Sequence, residues 1–399
     1  MDTKIVKNYT IAQKLGLSHQ TIARWVESSL KKDNNLQLTE AKGKYYILDN
    51  AHNDAELSKL KENALKYRNK TAFEKLNVDK KLYDILSPDQ TIELITSLEY
   101  SRLIPLKFTY LGKGGSIWDE YVNKMANNDG YYLDELSSLL QSSLDYISLR
   151  IKNYSIVNII DIGPGNGYTL KPLIEKLQRQ TKVNYTGIDI SDEMEKILKK
   201  NLDVWYPKLP VNLEIADMEN MMIRSSLFNN KLKHNNSCNL LIFIGATIGN
   251  VNDRNRVLRN LKDSMGDDDY LLIDNGLDTI GWRSSFTTLN DPNYSSMLRW
   301  IPEFLGFRSD MYELINKYDE KTGRRLQTMK LNKDISLVFE LENGVKTLEF
   351  KENEEITVWN HFSHTLNGYL KELSEADLVV THLSCYPDLS HALSLCQVK

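Results

Sequence analysis

The chain has 399 residues, 41% hydrophobic and 26% charged, with a formal net charge of −4; these values exclude wholesale disorder and a fibrous repeat and leave room for two folded domains. No apolar run approaches the roughly 20 residues of a membrane span, and the start, MDTKIVKNYT, lacks a secretory pattern, so a cytoplasmic protein with no membrane partner is expected. Cys238, Cys385 and Cys396 have neither disulfide nor zinc-ligand spacing, so buried thiols and no metal are expected.

Charge is uneven along the chain. Residues 1–48 hold seven Lys and one Arg against two Asp and two Glu, a net +4, which leaves −8 for the rest. A basic head on an acidic body implies that the two parts meet different partners. Within Tyr9–Leu30, Thr10 is the expected cap of a first helix, Gly16 permits a sharp turn, and Ser18 caps a second helix that buries Ile22, Trp25 and Val26. His19, Gln20 and Arg24 remain outside. Two β-like runs, LQLT and KYYIL, flank Glu40–Gly43 as a hairpin. Helix, turn, helix and hairpin over residues 1–49 resemble the winged helix-turn-helix domains of bacterial regulators and excisionase-like proteins. DNA contact through the second helix, recognition of a peptide or protein, and a purely structural role all fit that head. Residues 50–90 read as a polar helical linker.

From residue 91 to 399 strands and helices alternate. Ile156–Ile162, Val183–Ile188, Val211–Ile215, Leu240–Ile244 and Tyr270–Ile273 read as strands, with helices at Leu170–Leu177 and Met194–Asn201 between them. Alternation of this kind predicts an α/β, doubly wound parallel sheet. Two terminal runs, LVVTHLS and HALSLCQV, suit a closing antiparallel hairpin. A smaller substrate subdomain is expected from residues 91–150 and 300–370.

The stretch IIDIGPGNGY (Ile159–Tyr168) carries the chemistry. A strand that ends at the carboxyl edge of a parallel sheet and turns at once into a helix leaves a ligand crevice there, and glycine lets the backbone approach the ligand. The spacing of Gly163, Gly165 and Gly167 departs from the G-x-G-x-x-G of dinucleotide binders, which disfavours a nicotinamide cofactor. Asp161 precedes the turn. Asp189 ends the second strand, where a carboxylate can accept from both ribose hydroxyls. Asp217 follows the third strand, placed to accept from an adenine amine while Met218 packs on the ring. Acid, glycine turn, Asp and Asp on successive strands resemble class I S-adenosylmethionine-dependent methyltransferases, in which the product is S-adenosylhomocysteine.

A more specific likeness follows. LLIFIGATIGNVNDRNRVLRNL (Leu240–Leu261), with Gly245 and Asn250, resembles the signature of the histidine-specific methyltransferase family of the ergothioneine pathway. Ile104–Val122, Gly130–Leu140, Leu271–Thr279 and Glu354–Leu366 look like the same family. The resemblance implies that Asn250 and Tyr131 face the α-amino and carboxylate end of an acceptor, and that Tyr110 lines the same pocket. Where the family reads an imidazole with a Glu-x-Ser pair, this sequence has His361 and Ser363. Where a carboxylate-binding tyrosine is expected, it has Phe286. The implied activity is methylation of the amino nitrogen of an amino acid, a related amine or a peptide, with an altered acceptor pocket. The alternative is a DNA-binding regulator that senses S-adenosylmethionine or its demethylated product without turnover. Oligomeric state is not legible.

Overall fold

The computed structural model describes residues 5–70, 73–127, 131–220, 236–245, 247–279, 283 and 292–399. The chain divides into two compact units, Met1–Glu74 and Lys75–Lys399.

In the first unit, a helix over Asn8–Leu15 ends at Gly16, whose φ of 67° is the left-handed conformation a helix terminus asks of glycine. The next helix, His19–Leu30, is capped by the Ser18 side chain, which accepts from the Thr21 N–H. The first helix starts at Asn8 with no side-chain cap, so Thr10 lies inside it rather than capping it. Strands β1 (Ile5–Val6), β2 (Leu38–Ala41) and β3 (Lys44–Leu48) form a sheet in the order β1-β3-β2. Lys42 and Gly43 join β2 to β3 with φ of 52° and 69°, the paired positive angles of a tight hairpin turn. Ile11, Ala12, Ile22, Val26, Leu36, Ile47 and Leu57 close the small core. His19, Gln20 and Arg24 are exposed on the second helix.

The stretch read as a linker is only partly one. Ala51–Lys70 is a helix, and its Asn53 is buried, donating from Nδ2 to the carbonyls of Gln37 and Leu48 at 2.8 Å each. Past the boundary between the units, which falls inside β4 (Glu74–Asn77), the residues Leu76, Val78, Leu82 and Leu86 are core of the second unit. Their apolar positions are few among Lys and Asp, which is why the polar composition dominates a reading from sequence.

The second unit is built on a seven-stranded sheet. Its strands are β5 (Ile156–Ile162), β6 (Lys182–Asp189), β7 (Val211–Ile215), β8 (Ser237–Phe243) and β9 (Tyr270–Gly276). After an insertion that holds β10 (Tyr312–Asp319), β11 (Arg324–Leu331), β12 (Ile335–Leu341), β13 (Gly344–Phe350) and β14 (Glu355–Phe362), the chain returns with β15 (Leu378–Cys385) and β16 (His391–Val398). The sheet order is β15-β16-β9-β8-β5-β6-β7. The strands β5 to β9 pair in parallel, and β16 runs antiparallel to both β9 and β15. The expected parallel sheet is therefore mixed, because the terminal hairpin adds its last strand in reverse. Every residue of β5 and of β8 is buried, as apolar runs covered on both faces require. One face packs Leu136, Leu173 and Leu198 from three helices, and the other packs Val257, Leu261 and Leu373 from two more. Each such side chain contributes about 1.5–3 kcal/mol on burial.

A second layer forms its own core from residues 76–111 and 298–358, with Phe108, Trp300, Phe339 and Phe350 at its centre. The sheets β10-β11-β14 and β13-β12-β4 supply its walls. Trp300 donates its indole N–H to the Thr109 carbonyl at 2.8 Å, and Ile104 and Thr357 join the 102–104 segment to β14 through backbone bonds of 2.8 Å. This layer delivers Leu106–Tyr110 and the end of β14 to the carboxyl edge of the main sheet. Cys238 and Cys396 are buried and Cys385 is half-buried. Among the described residues no helix is long and apolar enough to cross a membrane.

A buried ion pair fixes that edge. Arg254 donates from Nε and Nη2 to Glu372 at 2.7 and 2.6 Å and from Nη1 to the Ile248 carbonyl at 3.0 Å. Burial pushes the Glu372 carboxyl up, but the guanidinium fork and His364 outweigh it and hold the group at about 2. A carboxylate depressed on folding stabilises the protein above its unfolded pKa and loses that contribution as pH falls through the folded one. Glu372→Gln should therefore cost about 3–5 kcal/mol near neutrality, since it leaves a buried guanidinium short of a charge. Urea unfolding should show the gap between wild type and variant shrinking from pH 4.5 toward 2; a gap independent of pH would contradict the assignment.

Candidate active site

The parallel register sets the geometry. Asp161 stands opposite Gly187 on β6 and Ile242 on β8, and Asp189 opposite Ile215 on β7. The three strand ends and their following loops thus meet at one edge, where a single cavity is lined by Asp161, Gly163, Gly165, Asp189, Asp217 and Met218. The same cavity takes in Tyr110, Gly245 and Asn250. Gly163, Gly165 and Gly167 all have positive φ, of 65°, 57° and 79°. A β-carbon on Gly163 would meet Met218 Cε at 3.4 Å, whereas one on Gly167 would strike Leu198 Cδ1 at 2.7 Å. Gly163 therefore shapes the cavity wall. Gly167 serves the turn's packing against the helix Asp192–Trp205, which carries Leu198, and is not part of the lining.

Burial pushes the Asp161 carboxyl up to about 7, even though it accepts from Tyr185 Oη at 2.6 Å. Burial likewise pushes Asp189 up to about 6, opposed by backbone N–H donors from Ser191, Ile190 and Gly165. Such a carboxylate lacks the solvation it would have in water and gains from any hydroxyl brought to it. Tyr110 is half-buried, and desolvation together with the charge on Asp189 pushes its phenol up. Its ring meets Trp118 edge-on at 5.7 Å. Trp118 lies on the helix Gly114–Asn127, which covers the glycine turn. Asn166 of the turn donates to Asp119 of that helix at 2.8 Å.

Asp217 does not stand alone. Lys107 donates to it at 2.6 Å and also pairs with Glu93 at 2.7 Å. Burial would pull the ammonium pKa down, but these two carboxylates outweigh it and raise it. Glu219, pushed up by burial, accepts from the Asn252 N–H at 3.2 Å and feels the same lysine. Sequence reading overlooked Lys107, although it lies within the quoted stretch Ile104–Val122, because its partner is 110 residues away.

The expected acceptor contacts divide. Asn250 faces the cavity, but His361 does not line it. His361 Nδ1 donates to Asn250 Oδ1 at 2.8 Å. Its ring packs on Gly249, where a β-carbon would lie 2.2 Å from Cε1, and stacks at 8° on Trp359. Burial, then the charges on Arg325, Arg254, His391 and Arg324, hold the ring well below the usual histidine pKa. Ser363 also lies behind the cavity and accepts from Arg325 Nη2 at 2.8 Å. Phe286 lies outside the described residues, as does the side chain of Tyr131, whose backbone starts the helix Tyr131–Ile151.

A mixed seven-stranded sheet with this turn and these acidic strand ends defines a class I S-adenosylmethionine-dependent methyltransferase. The chain belongs to the histidine-specific, S-adenosylmethionine-dependent methyltransferase family, whose profile matches residues 90–398. No match is found among the curated proteins. Solved structures offer distant likenesses. The S-adenosylmethionine-dependent methyltransferase of Clostridium acetobutylicum is 12% identical, with 70% of this chain and 97% of that one covered and a TM-score of 0.39. The glycopeptide N-methyltransferase MtfA with bound S-adenosylmethionine is 9% identical, with coverage of 65% and 86% and a TM-score of 0.33. The family match, rather than these likenesses, carries the assignment.

Lys107→Met should leave Asp217, Glu93 and Glu219 without their shared cation. The expected loss is about 1–3 kcal/mol of unfolding free energy, the cost of a half-buried charge left unpaired. A thermal scan with an unchanged midpoint would show that the cluster is idle.

Proposed function

We propose that the protein transfers a methyl group to the amino nitrogen of an amino acid, a related amine or a peptide. The observation that carries this reading is Asn250, which faces the adenosyl-binding cavity with its amide held in orientation from behind by His361. The residues fit S-adenosylmethionine: Asp189 is a buried carboxylate that ribose hydroxyls would stabilise, and Met218 flanks the glycine turn. Asp161 lies beneath that turn, and Gly245 on the adjoining loop completes the wall. When bound, the cofactor supplies an electrophilic methyl on a sulfonium. Asn250 with its amide and Tyr131 with its phenol orient the acceptor lone pair, Tyr110 walls the pocket, and the layer above keeps water out. Displacement at a methyl needs alignment and an uncharged amine rather than elaborate proton transfer. Ser363 belongs to the more distant acceptor end. The exposed His19, Gln20 and Arg24 support nucleic-acid contact as the role of the first unit.

Methyl-labelled S-adenosylmethionine offered with a panel of amino acids, amines and short peptides should label at least one of them. Asn250→Ala should abolish transfer while cofactor affinity stays within about twofold, because it removes acceptor alignment only. Transfer that survives in this variant would overturn the assignment of Asn250, and binding without any transfer would favour a sensor.

Asp189 gives a second check. Its carboxyl must be ionised to accept both hydroxyls, so cofactor affinity should weaken as pH falls below about 6. Asp189→Asn should bind weakly at every pH and lose that step, as calorimetric titrations between pH 5 and 8 would show; a wild-type affinity flat across that range would contradict the role.

A further inference from the structure

Asp217 is held from three sides. Lys107 Nζ donates to its Oδ2 at 2.6 Å, Asn220 Nδ2 donates to the same oxygen at 2.8 Å, and the Glu219 N–H donates to Oδ1 at 2.9 Å. A carboxylate has about four acceptor sites, so among the described residues one site is left, on Oδ1. Lys107 is itself fixed from behind. Its neighbours Leu106 and Phe108 are buried in the core of the second layer, and the Thr109 carbonyl is tied to Trp300 at 2.8 Å. Its ammonium also pairs with Glu93, on the helix Pro88–Ser101, at 2.7 Å. Among the described residues that line the cavity, Lys107 is the one lysine or arginine, and Asp217, Met218 and Glu219 line it too.

We infer that Lys107 is a positioning residue for the base of the cofactor: by pinning Asp217 it lets the cavity take a 6-aminopurine and discriminate against a 6-oxopurine. The inference rests on the adenosyl-binding reading of this cavity and is independent of the acceptor. The open site on Oδ1 suits one N–H, which the exocyclic amine of adenine brings without moving the carboxylate. A 6-oxopurine puts a carbonyl oxygen there, acceptor against acceptor, and carries its proton on the ring nitrogen one position away. A carboxylate free to turn would follow that proton. Asp217 cannot follow it without giving up its bond to Lys107, in which both partners are charged. With an apolar side chain at 107 the pin is gone, and Asp217, Glu93 and Glu219 lose the cation they share. Repulsion among like charges then favours turning Asp217 away from its present direction. A lysine that merely tied the two layers together would act differently, since its loss would weaken binding of both bases alike.

The test is calorimetric titration of the full chain with S-adenosylhomocysteine and with S-inosylhomocysteine, which differs from it only in the 6-oxo base. Wild type should bind the adenine compound on the order of tenfold or more tighter, as a missing hydrogen bond to a charged group implies. Lys107→Met should bring the two affinities within about threefold of each other, by weakening the first and sparing or strengthening the second. Lys107→Gln, which is gentler on the neighbouring carboxylates, should lower the ratio as well and guards against a folding defect in the methionine variant. Lys107→Arg restores a cation and should recover most of the preference. Each variant is read as a ratio, so a loss of stability that lowers both affinities together does not imitate the expected result. Equal affinities in wild type, or a wild-type ratio in either neutral variant, would overturn the inference and leave the cofactor assignment standing. Failure of wild type to bind either compound would sink both.

Discussion

The structure depends on the register of one strand. β5 lies at the centre of the sheet with parallel neighbours on both sides, and Asp161 is level with Gly187 and Ile242. A slip of one residue would turn every side chain of β5 to the opposite face, and both faces are buried. Apolar covering on two sides therefore locks the edge at which Asp161, Asp189 and the loop to Asp217 meet. The same burial that stabilises the strands raises the carboxyl pKa values there. The free energy of packing is partly spent on holding poorly solvated carboxyl groups at a site where a ligand can satisfy them.

The opposite wall is assembled from far along the chain. Arg254 clamps Glu372 and the Ile248 carbonyl, which fixes the turn just before Asn250. β14 then carries His361 against Gly249 and Asn250. A purely apolar contact could pack this junction equally well, but it would not orient an amide. A hydrogen bond from a neutral imidazole does so without adding charge next to an amine that must stay uncharged to react.

Much of this was legible in the sequence where signals are local. The central strand, Ile156–Ile162, coincides with its apolar run, Gly16 ends its helix as its position suggests, and Ser18 caps the next. Periodicity and turn chemistry act over a few residues, so a sequence displays them directly. The helix start at Asn8 was missed because it has no side-chain cap to announce it. Residues past Glu74 read as linker because a short strand with one buried leucine, Leu76, is masked by charged neighbours. Lys107 and Arg325 were missed for a different reason. Their roles exist only through partners brought in by folding, and a lone basic residue in sequence looks like any solvated one. His361 was singled out for its position, but which side of Asn250 it occupies was decided by Gly249, whose lack of a side chain admits the ring.

The central claim is that three strand ends and the turn before Asn250 enclose a single adenosyl group. A crystal structure of the protein with S-adenosylhomocysteine tests it most directly. The account predicts the ribose on Asp189, the purine beside Met218, and the sulfur between the Gly163–Gly165 turn and Asn250. A ligand seated elsewhere, or one whose sulfur faces away from Asn250, would contradict it.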